Sequence, residues 1–132
     1  MKRLGLVAIP LALLAVLVIT GCGKTPGNGN TGPSIAPGTV EMASTDFVNH
    51  AVTISAGQAV HFTDPADTGG THILCLGTNE TCDKSAQGPS ELKGNDLQFN
   101  PGDSKDVTFA TAGTYHVTCS IHQNMNVVVT VQ

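Results

Sequence analysis

From residue 39 onward, apolar positions fall in short runs separated by turn residues, and none of them keeps a helical period. The runs are 40–42, 47–54, 58–63, 71–76, 97–99, 107–109, 114–119 and 126–131. Ser55-Ala56-Gly57, Gly69-Gly70 and Asn100-Pro101-Gly102-Asp103 punctuate them. Several runs alternate. Val60 and Phe62 share one face of their run, while Ala59 and His61 share the other. In 114–119, Tyr115, Val117 and Cys119 fall on one face and Thr114, His116 and Thr118 on the other. Alternation with period two, β-branched residues and Gly/Pro turns at close spacing predict strands. The predicted class is all-β, an antiparallel sandwich or small barrel. The polar segment 77–95 is expected to be turns with room for one short helical turn.

The first 38 residues read differently. Lys2 and Arg3 precede an almost wholly apolar run over 4–20, followed by Gly21 and Cys22. A basic start, an apolar stretch and small residues at the end have the layout of a secretory signal. Ile19-Thr20-Gly21-Cys22 resembles the lipobox of bacterial lipoproteins, which implies cleavage after residue 21 and lipidation of Cys22. An uncleaved membrane anchor is the alternative, since the run approaches the length needed to span. Either reading places the remainder on the extracytoplasmic face of the cell membrane. Residues 22–38, mostly Gly, Pro, Asn, Ser and Thr, lack the apolar surface to order themselves and are expected to form a flexible linker. The domain proper is expected over 39–132.

Charge narrows the partners. Without the first 21 residues the chain has four lysines against ten carboxylates, a net −6 with His neutral. Nucleic acid, which attracts basic surfaces, is disfavoured. A monomeric domain at a membrane surface meeting a basic partner is favoured.

The chemistry concentrates near the C-terminus. Cys119, His122 and Met125 stand three residues apart on the segment leaving one predicted strand. Alternation directs Cys119 inward at the strand end, and a turn can fold all three around one ion. His72, just after Gly69-Gly70, is the best second imidazole. Two His, one Cys and a weak axial Met are the donors of a blue-copper electron-transfer site. His50 precedes a strand, and His61 and His116 sit opposite the apolar faces of theirs, so these three are expected to face water. Cys75 and Cys82, seven positions apart in an exported domain, are expected to form a disulfide. The alternative, Cys75 as a ligand of a closed zinc site, conflicts with strand alternation, which turns His72 and Cys75 to opposite sides.

From about residue 39 to 132 the chain resembles a cupredoxin of the plastocyanin and amicyanin type. The resemblance is carried by Gly57-Gln58-Ala59-Val60-His61-Phe62, His72, Pro101-Gly102 before Val107-Thr108-Phe109, Gly113-Thr114-Tyr115 and the Cys119-to-Met125 loop. It implies a Greek-key β-sandwich, one type 1 copper ion held by His72, Cys119, His122 and Met125, and one-electron transfer between a redox protein donor and acceptor. It also implies that His122 lies near the surface. Three features depart from the family pattern. Ile73 stands where an Asn usually braces the two ligand segments. Gln123 and Asn124 stand where Pro or Gly is frequent. The Cys75/Cys82 pair is additional. A copper storage, delivery or resistance module would use the same residues. A multicopper oxidase or nitrite-reducing enzyme needs more His and more chain. A two-copper oxidase subunit needs a second Cys in the ligand loop, and Ser120 to Gln123 contains none.

Overall fold

A computed structural model describes residues 35–94 and 97–132. The expected leader (1–21), the lipidation site at Cys22 and the linker as far as residue 34 lie outside the described residues. Among the described residues no helix is long and apolar enough to cross a membrane.

All eight expected runs contribute strands, with shifted ends, and one strand that was not expected, β5, joins them: β1 (Thr39–Glu41), β2 (Ala51–Ile54), β3 (Ala59–Thr63), β4 (His72–Thr78), β5 (Thr81–Cys82), β6 (Leu97–Phe99), β7 (Ser104–Thr108), β8 (Gly113–Cys119) and β9 (Asn126–Val131). The expected run over 47–54 is broken: Phe47 makes an isolated antiparallel bridge to Met42, and the strand starts only at Ala51. The segment over 77–95 holds the short strand β5 and one 3-10 turn, Ser90–Leu92, which buries Leu92.

One sheet has the order β1-β3-β7. The other runs β2-β9-β8-β4-β5, with β6 also pairing with β4. The antiparallel expectation holds for most pairs, but β1 lies parallel to β3 and β2 parallel to β9. Parallel neighbours need a crossover, and here β1 and β2 sit in different sheets while joined by a short connection, as a sandwich allows.

Alternation decides what goes inside. Val60 and Phe62 of β3 are buried, and Ala59 and His61 between them are exposed. Leu74, Leu76, Phe99, Val117, Val127 and Val129 supply the facing layer. Phe62 and Phe99 meet across the sandwich with ring centroids 6.5 Å apart. Phe109 stacks edge-on against Tyr115 at 5.0 Å, and the Tyr115 hydroxyl donates to the Thr111 carbonyl at 2.7 Å. Each buried Phe contributes roughly 1.5–3 kcal/mol of transfer free energy, so the core holds the sheets in fixed register at the end where β4 begins and β8 ends.

Candidate metal centre

Register brings the distant candidate ligands together. β4 and β8 are antiparallel, with Leu74 opposite Cys119. Directly opposed residues point to the same face, and so does His72, two residues before Leu74. His72 and Cys119 therefore project into one end of the core, and both are fully buried. The chain then turns through 120–125, where Cys119 N–H donates to the Met125 carbonyl (3.1 Å) and Met125 N–H to the His122 carbonyl (3.3 Å). Asn124 takes the left-handed φ of 66° in this turn. Asn tolerates that conformation far better than most residues, which suits it to this turn.

Three donor atoms converge. His72 Nδ1 and His122 Nδ1 are 3.2 Å apart, and Cys119 Sγ lies 3.6 Å from His122 Nδ1 and 3.9 Å from His72 Nδ1. The circle through these three atoms has a radius of about 2.1 Å, close to the ~2.0–2.3 Å that imidazole nitrogen and thiolate keep from a d-block ion. Among the described residues no other set of three His, Cys, Asp or Glu donors is gathered this closely. Met125 is fully buried at the end of the same loop. His122 is only half-buried, and its neighbour Ile121 is, among the described residues, one of two large apolar side chains that stand exposed.

Burial, and secondarily the adjacent His122 ring, push His72 down to about 4, with the Ala43 carbonyl opposing them. At neutral pH His72 is thus the neutral imidazole that a metal requires. The other histidines face solvent, as expected. His50 is exposed near Asp46 and the Asn126 carbonyl, His61 pairs with Asp106 at 2.7 Å on the surface, and His116 is exposed. Cys75 is bonded to Cys82, which removes the second thiolate from the zinc alternative.

Two parts of the site were not read from sequence. Thr118, expected on the outer face, is fully buried. The β4–β5 turn covers it: Glu80 N–H donates to Thr118 Oγ1 (3.2 Å), which donates to the Met125 carbonyl (3.0 Å). Asn79 and Asn126 exchange two further hydrogen bonds beside it. Together with Ser120 N–H donating to the Ile73 carbonyl at 2.9 Å, this braces the two ligand segments without the usual Asn side chain. The second part is Asp64, just after β3. Its carboxyl is fully buried 3.9 Å from His72 Nε2. Burial, with help from Asp103, raises its pKa, and the Gly70 amide offsets part of the rise. The only sequence signal was Gly69-Gly70. A Cβ on Gly69 would fall on the Asp64 carboxylate oxygen.

No curated protein sequence matches the chain. Among solved structures, amicyanin from Paracoccus versutus (Thiobacillus versutus) is 20% identical over 77% of this chain and 86% of its own, with a TM-score of 0.52. A mutant plastocyanin of fern is 28% identical over 71% of this chain and 99% of its own, at 0.53. The copper-containing nitrite reductase of Thermus scotoductus SA-01 is 24% identical over 75% of this chain at 0.53, but this chain spans only 23% of its length. Residues 37–132 match the profile of the copper binding proteins of the plastocyanin/azurin family. With the β-sandwich and the gathered donors, that match establishes that the chain belongs to the plastocyanin/azurin family of copper binding proteins.

Proposed function

We propose that His72, Cys119, His122 and Met125 hold one type 1 copper ion, and that the protein carries single electrons between redox proteins at the extracytoplasmic face of a membrane. The observation that carries this reading is the ~2.1 Å circle through His72 Nδ1, Cys119 Sγ and His122 Nδ1, whose size and N₂S chemistry suit copper. Copper, when bound, supplies a one-electron couple between Cu(I) and Cu(II). The chain's residues supply the rest. Cys119 binds as the thiolate and both histidines as neutral rings. The braced loop and the β4/β8 register hold the donors in place, so a change of one charge meets little rearrangement. Half-buried His122, beside exposed Ile121, is the ligand nearest to solvent and offers the shortest route for an electron to a docked partner. Four protein donors leave no position for a substrate, so the role is that of a carrier and not an enzyme. Lipidated Cys22 and the 22–38 linker tether the domain, and the acidic net charge favours partners with basic docking faces.

Adding Cu(II) to the purified protein is expected to produce an intense blue colour that Cys119→Ser abolishes. A colourless copper complex in the unaltered protein would sink the type 1 assignment. Fast copper transfer to an acceptor, without a reversible one-electron couple, would turn the reading to copper delivery. Membrane fractionation of Cys22→Ala tests the anchor, and undiminished membrane retention would refute lipidation there.

A further inference from the structure

Asp64 and His72 pose one problem together. The Asp64 carboxyl is 1% exposed, and neither of its oxygens has a hydrogen-bond partner of sound geometry among the described residues. His72 Nε2 is equally buried and equally unpartnered. Leaving such groups unpaired costs roughly 1–3 kcal/mol each, more if one is ionised. The unpaired atoms face each other, Nε2 to Oδ1, at 3.9 Å. The backbone is shaped to keep the carboxyl there. Asp64 N–H donates to the Asp103 carbonyl (2.9 Å), Gly102 N–H donates to the Asp64 carbonyl (2.7 Å), and Gly69 leaves free the space that a Cβ would take from the carboxylate.

We propose that Asp64 is a positioning residue for the metal centre: its carboxylate accepts the Nε2–H of His72, leaves Nδ1 bare toward Cys119 and His122, and favours the more highly charged oxidation state of the bound ion. The inference rests on the copper reading above. Which nitrogen of a His binds metal is set by the hydrogen bond at the other, and a carboxylate there makes the ring a stronger donor. The present separation is about 1 Å beyond a hydrogen bond, a gap that a small side-chain adjustment closes. A cation across the ring favours the ionised carboxyl against the burial that opposes it. The Ala43 carbonyl is the competing acceptor near the ring, but it carries no net charge.

The test compares copper-loaded wild type, Asp64→Asn and Asp106→Asn by redox titration of the visible band. Asp106 is an exposed carboxylate paired with His61 and not with any of the four donor residues, and it controls for loss of charge alone. Asp64→Asn is expected to lower the preference for Cu(II) over Cu(I) about tenfold, raising the midpoint potential by about 59 mV. Asp106→Asn is expected to cause no change of that size. Nitrogen-15 NMR of the wild-type Cu(I) form gives a second reading that does not depend on a variant folding. His72 is expected to carry its proton on Nε2, strongly deshielded and slow to exchange. A blue wild type whose potential is matched by Asp64→Asn, or a His72 Nε2 proton that is absent or exchanges freely, overturns the role of Asp64 and leaves the copper reading standing. A wild type with no visible copper band removes both.

Discussion

The Cys75–Cys82 disulfide closes a loop with a sequence separation of 7. In the unfolded chain, closing a loop of that length removes about 8 cal/mol/K of entropy, or about 2.4 kcal/mol at 25 °C. The folded hairpin gives up none of its hydrogen bonds when the bond is reduced, because the β4–β5 pairing and the contacts to Thr118 and Asn126 do not run through sulfur. Reducing the disulfide in the metal-free protein is therefore expected to cost about 2.4 kcal/mol, or roughly 10–20 °C in Tm for a domain of this size. The Cys75→Ala/Cys82→Ala variant is expected to lose more, since Cys75 is fully buried and its sulfur leaves a void. Urea denaturation followed by circular dichroism measures both. Metal-free protein is needed because bound copper would add its own linkage to stability. A loss below about 1 kcal/mol on reduction would refute the entropic argument, because it would mean that the hairpin already constrains the unfolded chain.

Three further outcomes follow from the site. His72 is held at about 4 in the folded protein against 6.5 in a free chain, so folding favours its neutral form; that stability is complete above pH 6.5 and is lost as pH falls toward 4, by about 3 kcal/mol in the metal-free protein. The difference in urea midpoint between wild type and His72→Gln should shrink or reverse across that window, and a pH-independent difference would contradict it. Thr118→Val leaves the Glu80 N–H without its partner and removes one of the two hydrogen bonds on the Met125 carbonyl, which keeps the one from Cys119 N–H; about 1–3 kcal/mol of stability is expected to go, and copper loss to a chelator is expected to accelerate. Asn79 and Glu80 both have positive φ (50° and 63°) in a two-residue hairpin turn, the pattern of a type I′ turn, which Asn adopts readily and Glu only at a steric cost. Glu80→Gly is expected to raise stability by about 0.5–1 kcal/mol in the same urea assay, with the backbone bond to Thr118 intact.

The sequence by itself determined much of this molecule. Period-two alternation in 58–63 and, Thr118 apart, in 114–119 told which side chains enter the core, because a strand offers two faces and here one of them is apolar. The 119–125 loop was legible because Cys119, His122 and Met125 are local: a single turn brings neighbours in sequence into neighbours in space. His72 could be nominated but not placed, since its approach depends on the β4/β8 register, 47 residues away in sequence. The parallel pairings of β1 and β2 were equally hidden, because short strands do not encode their partners. Thr118 and Asp64 escaped for a related reason. A polar residue reads as solvent-facing until some distant segment covers it. Here the β4–β5 turn covers Thr118, and the packing around the loop that Gly69 opens buries Asp64 behind His72. Local pattern chose the donors. Only the tertiary structure decided what stands behind them, because burial is set by the whole chain and not by any one stretch of it.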